Sequence, residues 1–175
     1  MAVPAAVPFV LTPFQPVSDL AVAGKIVRSH PWLTVEYRLT GTLELIELPP
    51  AGPGQRRDGL WQTTCFELFF AEPDSQRYWE VNAAPSGDWN VYTFDGYRRG
   101  MVPEIRCHRV DLSHRQQGTS HQVTLRLLLD WLDIDTSLQA SVTAVIDAER
   151  LSYWAITHPG QQPDFHHRAG FCLKI

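Results

Sequence analysis

A chain of 175 residues, 44% hydrophobic and 19% charged, has the length and apolar content of one globular, ordered domain, which excludes an intrinsically disordered chain. A net charge of −4 without any long basic run argues against binding a nucleic-acid backbone. No stretch approaches the roughly 18 apolar residues of a membrane helix, so no membrane partner is expected.

The opening MAVPAAVPFVLTPF is broken by Pro4, Pro8 and Pro13 and has no basic region before it, which is not the pattern of a secretion leader. The three cysteines, Cys65, Cys107 and Cys172, are odd in number and make no CxxC pair. They read as reduced thiols, and the expected location is cytoplasmic. Thirteen Pro and eleven Gly are spread along the chain. Many short elements joined by turns follow, and that is the pattern of an all-β sandwich or barrel.

In chain order, Phe9–Pro16 reads as a short strand cut by Pro13, and Gly24–Ser29 as an edge piece. Trp32–Leu39 alternates Leu33, Val35, Tyr37 and Leu39 with polar residues, a half-buried strand. Gly41 turns it into Thr42–Leu48, a hairpin partner. The loop over residues 49–59 carries Arg56, Arg57 and Asp58 and leads straight into Trp61. Cys65–Ala71 and Tyr78–Asn82 are aromatic-rich strands of period two, joined by a turn at Pro73 and Asp74. Placing Glu67 opposite Glu80 puts Phe66, Leu68, Phe70, Trp79 and Val81 on a core face. Cys65, Glu67, Phe69, Tyr78, Glu80 and Asn82 then share the other face, and a one-residue slip would mix the two sets.

Trp89–Phe94 is a third run, and two facings are open to it. One sends Trp89, Val91 and Thr93 to the Glu67/Glu80 face; the other sends Asn90, Tyr92 and Phe94. Glu104–Leu112 reads as a polar strand near an edge, 113–120 as a loop, Gln122–Leu129 as a strictly alternating strand, and Asp130–Leu138 as a helical turn. Ser141–Asp147 reads as central, Ser152–Thr157 as a strand with Trp154, Ile156 and His158 on one side, and Gly170–Ile175 as a closing strand. About ten short strands result, with no repeat and no domain boundary.

The segments WQTTCFELFF, YWEVNAAPSGDWNVY, GYRRGM, SYWAITHP and PDFHHR together resemble DOMON-like domains related to family 9 carbohydrate-binding modules. The resemblance runs from about Trp32 to the C-terminus. It implies an antiparallel β-sandwich of jelly-roll character whose concave face binds sugars, haem or other small ligands. Sugar-binding relatives clamp a terminal sugar between two Trp, and Trp61, Trp79, Trp89 and Trp154 are the candidates here. Haem-binding relatives use Met and His, and Met101 is the only internal Met.

Sugar recognition needs flat apolar faces for C–H groups and planar polar groups for hydroxyls. Trp61, Trp89, Tyr92 and Trp154, with Glu67, Glu80, Asn82, Arg98 and His158, supply that set. Arg98 would either recognise an anionic group or neutralise the two glutamates. His158, Asp164, His166 and His167 match no metal-binding spacing, and a hydrogen-bonded corner is the simpler reading. The expectation is therefore a non-catalytic module for a sugar-like small molecule, with no cofactor. The alternatives are a small hydrolase or isomerase using Glu67 and Glu80, a haem-binding domain, and an interaction module without a pocket.

Overall fold

The computed structural model describes residues 5–175. The leader question therefore falls partly on Met1–Pro4, outside the described residues. The strands are β1 (Ala6–Pro13), β2 (Leu20–Ser29), β3 (Trp32–Gly41), β4 (Cys65–Ala71), β5 (Tyr78–Ala83) and β6 (Trp89–Phe94). They continue with β7 (Val102–Pro103), β8 (Val110–Gln117), β9 (Ser120–Leu128), β10 (Gln139–Asp147), β11 (Leu151–Ala155) and β12 (Leu173–Lys174). Two single 3-10 turns, Leu60–Gln62 and Arg168–Gly170, are the only helical pieces among the described residues. No helix there is long and apolar enough to cross a membrane.

All the strand pairings are antiparallel, in the order β7-β6-β5-β4-β10-β11-β1-β2-β3-β9-β8, with β12 beside β10. The path folds over on itself. Tyr37 of β3 stands four strands beyond β10 in that order, yet its ring lies 4.9 Å from that of Phe66 on β4. Its hydroxyl donates to the Glu67 carbonyl at 2.8 Å. The result is a β-sandwich, with β2, β3, β9 and β8 in one layer and β4–β7, β10 and β11 in the other. β1 belongs to both, pairing with β2 through Ala6–Leu11 and with β11 through Thr12–Pro13.

The core lies between the layers. Val22, Ile26, Leu33, Val35, Leu39, Val123, Leu125 and Leu127 meet Phe66, Leu68, Phe70, Val81, Val91, Val142 and Ile146 there. Strict alternation put these residues on one face of each strand. Burying a Leu, Ile or Val side chain contributes roughly 1.5–3 kcal/mol, so this interface supplies most of the fold's hydrophobic stabilisation.

Several expected elements move. Gly24–Ser29 is no edge piece, because β2 is flanked by β1 and β3. Thr42–Leu48 forms no strand: β2 and β9 already occupy both sides of β3, and Ile46 turns into the core instead. The polar edge strand lies later than expected. β8 begins at Val110 and forms a hairpin with β9 through 113–117, which read as loop. Asp130–Leu138 contains turns but no helix, and the closing strand shrinks to Leu173–Lys174.

Candidate functional site

The second layer is covered on both sides. Every residue of β4 and β5 is buried. One face looks into the core; the other carries an aromatic cluster that includes Phe69, Tyr78, Tyr92 and Phe94, capped by Phe171 and Phe165. The parity expected for β4 and β5 holds, and the pairing differs by two residues. Glu67 stands opposite Asn82 and Phe69 opposite Glu80, so the glutamates are diagonal neighbours rather than a facing pair. A shift of two preserves every face, since side chains alternate with period two. It also relieves part of the carboxylate repulsion that a facing pair would carry.

The facing of β6 is settled by its pairing with β5. Asn82 stands opposite Asn90 and Glu80 opposite Tyr92, so Asn90, Tyr92 and Phe94 share the glutamate face. On the other flank Thr143 of β10 stands opposite Glu67.

A hollow of about 330 Å³ opens on this face. Glu67, Phe69, Glu80 and Phe94 form its floor, and Val145 and Tyr153 extend the floor toward β11. Three pieces of chain build the rim. Trp61 comes from the first 3-10 turn, Arg98 and Met101 from the loop after β6, and Pro163, Phe165 and His166 from the segment before the second 3-10 turn. Trp61 sits edge-on to Tyr92 at 6.0 Å between ring centroids. Tyr92 is held in turn by its hydroxyl, which donates to Asp58 at 2.7 Å. Arg56 anchors the loop that delivers Asp58, lying 4.3 Å over Trp89 and donating to Asn90 Oδ1 at 2.7 Å.

The polar groups are tightly arranged. Thr143 donates to Glu67 Oε2 at 3.1 Å, and Asn82 Nδ2 donates to Glu80 Oε1 at 2.8 Å. The Arg98 backbone N–H donates to the Tyr78 hydroxyl at 3.2 Å. That hydroxyl lies 2.8 Å from His166 Nδ1, and as donor there it leaves the ring proton on Nε2, 3.8 Å from Glu80 Oε2. Asp164 accepts from Tyr97 at 2.6 Å and from Arg98 at 2.9 Å.

Burial dominates the titration of the floor. It raises Glu67 well above the usual carboxylate range, and the neighbouring Glu80 raises it further. Burial lifts Glu80 to about 7, against the Asn82 hydrogen bond and the Arg98 charge. Burial also lowers His166 to about 4, with Arg98 adding to the effect, so the ring is neutral at pH 7. Tyr78 is pushed up to about 12, again chiefly by burial.

Of the residues expected from sequence, Trp61, Glu67, Glu80 and Arg98 line the hollow. Asn82 and Tyr92 lie on the same face beneath it. Trp89 and Trp154 do not join them. Trp89 stands opposite Ala83 and Trp154 opposite Ala144, and both rings pack in the inter-layer core. His158 turns away to the Thr12 carbonyl at 2.7 Å. Arg98 pairs with Asp164 rather than with the glutamates. The sequence reading missed Phe94, Tyr153, Phe165 and His166 as lining residues, and Asp58 as a support. The shared parity of Asp164 and His166 in PDFHHR was the available signal for His166.

Fold and site define a β-sandwich with a small pocket on the outer face of one layer. No protein-family model matches the chain, and no curated protein sequence matches it. Among solved structures it is similar to a candidate carbohydrate-binding protein from Bacteroides uniformis ATCC 8492. The TM-score is 0.67 at 12% identity, covering 97% of this chain and 84% of that one. It is also similar to a family 9 carbohydrate-binding module from Caldicellulosiruptor kristjanssonii in complex with glucose (TM-score 0.52, 12% identity, 89% of this chain and 74% of that one). The same module in complex with cellotriose gives TM-score 0.52 at 12% identity, covering 89% and 75%. At such identities the likeness is one of fold.

Proposed function

We propose that this chain is a single, non-catalytic binding domain for a small carbohydrate or sugar derivative, held in the hollow over Glu67 and Glu80. One observation carries the reading: aromatic rings and two buried carboxyl groups line the same hollow. Rings such as Trp61, Phe69 and Tyr153 suit the C–H faces of a pyranose, and Glu67 and Glu80 suit its hydroxyls. A volume of about 330 Å³ is at the small end for ligand pockets, which favours one sugar ring over a chain. The resemblance to DOMON-like domains and the sugar-bound solved structures of like fold support the same reading.

Catalysis by the two glutamates is the weaker reading. Both rise from adjacent strands on the same floor, whereas glycoside cleavage needs carboxyl groups flanking the bond.

Thermal-shift and calorimetric titration with a panel of hexoses, hexose phosphates and disaccharides tests the proposal. At least one monosaccharide should raise the melting temperature of wild type. Trp61→Ala should lose that shift while keeping the unliganded melting temperature, since Trp61 is 37% exposed. A panel with no hit, or an equal shift in Trp61→Ala, removes the proposal.

A further inference from the structure

The floor of the pocket holds two buried carboxyl groups and no cation. Once ionised, each offers about four lone-pair sites. Among the described residues, the Thr143 hydroxyl donates to Glu67 and the Asn82 amide to Glu80, which leaves capacity on both. Asn82 Oδ1 is fully buried and accepts no hydrogen bond, although its side chain lies on the pocket face directly across from Glu67. The nearest donors are partly engaged, and the His166 Nε2–H that remains, 3.8 Å from Glu80 Oε2, carries no charge. The Arg98 guanidinium donates to Asp164, and the Tyr78 hydroxyl is engaged with His166 and the Arg98 backbone. A hydroxyl group brings one proton to such a floor; a primary ammonium brings three, and a charge.

The charges around Glu80 point the same way. Glu67 lies diagonally across from it on β4, Tyr78 and Asn82 flank it on β5, Tyr92 stands opposite on β6, and neutral His166 approaches from the C-terminal segment. Arg98 is the one cation among these neighbours, and Asp164 balances it at 2.9 Å. Two desolvated carboxyl groups therefore share a hollow without a counter-charge of their own.

The geometry points to a ligand that carries a primary ammonium beside its hydroxyls, an amino sugar, with the ammonium seated against Glu67 and Glu80. This rests on the sugar-binding reading of the same pocket and narrows it. The incoming cation would replace a proton on the glutamate pair: the proton leaves to solvent, and the ammonium supplies the positive charge in its place.

Calorimetry at pH 6.5 with glucosamine, galactosamine, glucose and N-acetylglucosamine tests the inference. An amino sugar should bind at least tenfold more tightly than its neutral or acetylated counterpart. Its binding enthalpy should change between two buffers of different ionisation enthalpy, showing proton release. Glu80→Gln and Glu67→Gln, each checked for an unchanged fold by circular dichroism, should cut that preference by tenfold or more. Glucose binding as tightly as glucosamine overturns the inference and leaves the sugar-binding reading intact. A preference that survives both substitutions also overturns it, since the ammonium would then sit elsewhere. Binding by none of the four, with the wider hexose panel also silent, removes the inference together with the reading beneath it.

Discussion

Burial acts on Glu80 and His166 in opposite senses. Between pH 4.5 and about 7 the folded chain keeps a proton on Glu80 that the unfolded chain has released. Its contribution to stability is thus complete below pH 4.5 and lost as the pH rises through about 7. For His166 the unfolded ring takes a proton below 6.5 that the folded ring refuses until about 4, so its contribution is present above 6.5 and lost as the pH falls through about 4. At about 1.4 kcal/mol per unit, Glu80→Gln should equal wild type near pH 4.5 and exceed it by up to about 3 kcal/mol above pH 7. The Gln carbonyl can still accept from Asn82. Urea unfolding at the two pH values measures the gap, and parallel curves would mean that the carboxyl stays solvated. The partition of side chains between floor and core was readable at this scale, because alternation alone separates Glu67, Phe69 and Glu80 from Phe66, Leu68 and Trp79. The facing of Trp89 and Trp154 was not. An aromatic residue suits either side of a sheet, and only the pairing of β6 with β5 and of β11 with β10 decides.

Elements are held by a few contacts whose loss should be measurable. In β2, a Cβ on Gly24 would lie 1.9 Å from the Glu36 carbonyl oxygen and 2.7 Å from the Phe9 ring. Backbone cannot yield cheaply, so Gly24→Ala should cost about 2 kcal/mol or more by chemical denaturation. Glu104, beside β7, is buried and accepts from Trp79 Nε1 at 3.0 Å, from Thr93 at 2.9 Å and from Arg106. The Arg106 hydrogen bonds foremost hold its carboxyl down at about 2. Its contribution is present above pH 4.5 and lost as the pH falls through about 2. Glu104→Gln should cost about 2 kcal/mol at pH 7 and progressively less toward pH 2. A constant difference across that range would contradict the ion-pair assignment. Strands with an apolar face, such as β3, β4, β9 and β10, were legible in the sequence to within a few residues. β8 was not: it ends the strand order, and its second half, Ser113–Gln117, is polar and largely exposed, so no alternation marks it. The Glu67–Glu80 offset was not legible either, because the geometry of the 72–77 turn sets it rather than the strands themselves.

At the level of the whole molecule, the pocket belongs to one layer only, and its rim is gathered from three distant parts of the chain. Such an assembly leaves a weak trace in sequence, since Trp61, Arg98 and His166 are close only after β4, β5 and β6 are stacked side by side. The strand β1 gives this one-sided site a wider reach. Because Ala6–Leu11 is stitched to one layer and Thr12–Pro13 to the other, neither half can open by itself without tearing that seam. Calorimetric and van't Hoff enthalpies should therefore agree in a single melting transition. A sugar lodged over β4 and β5 should then slow amide hydrogen exchange in β2 and β3 as well, residues it never touches.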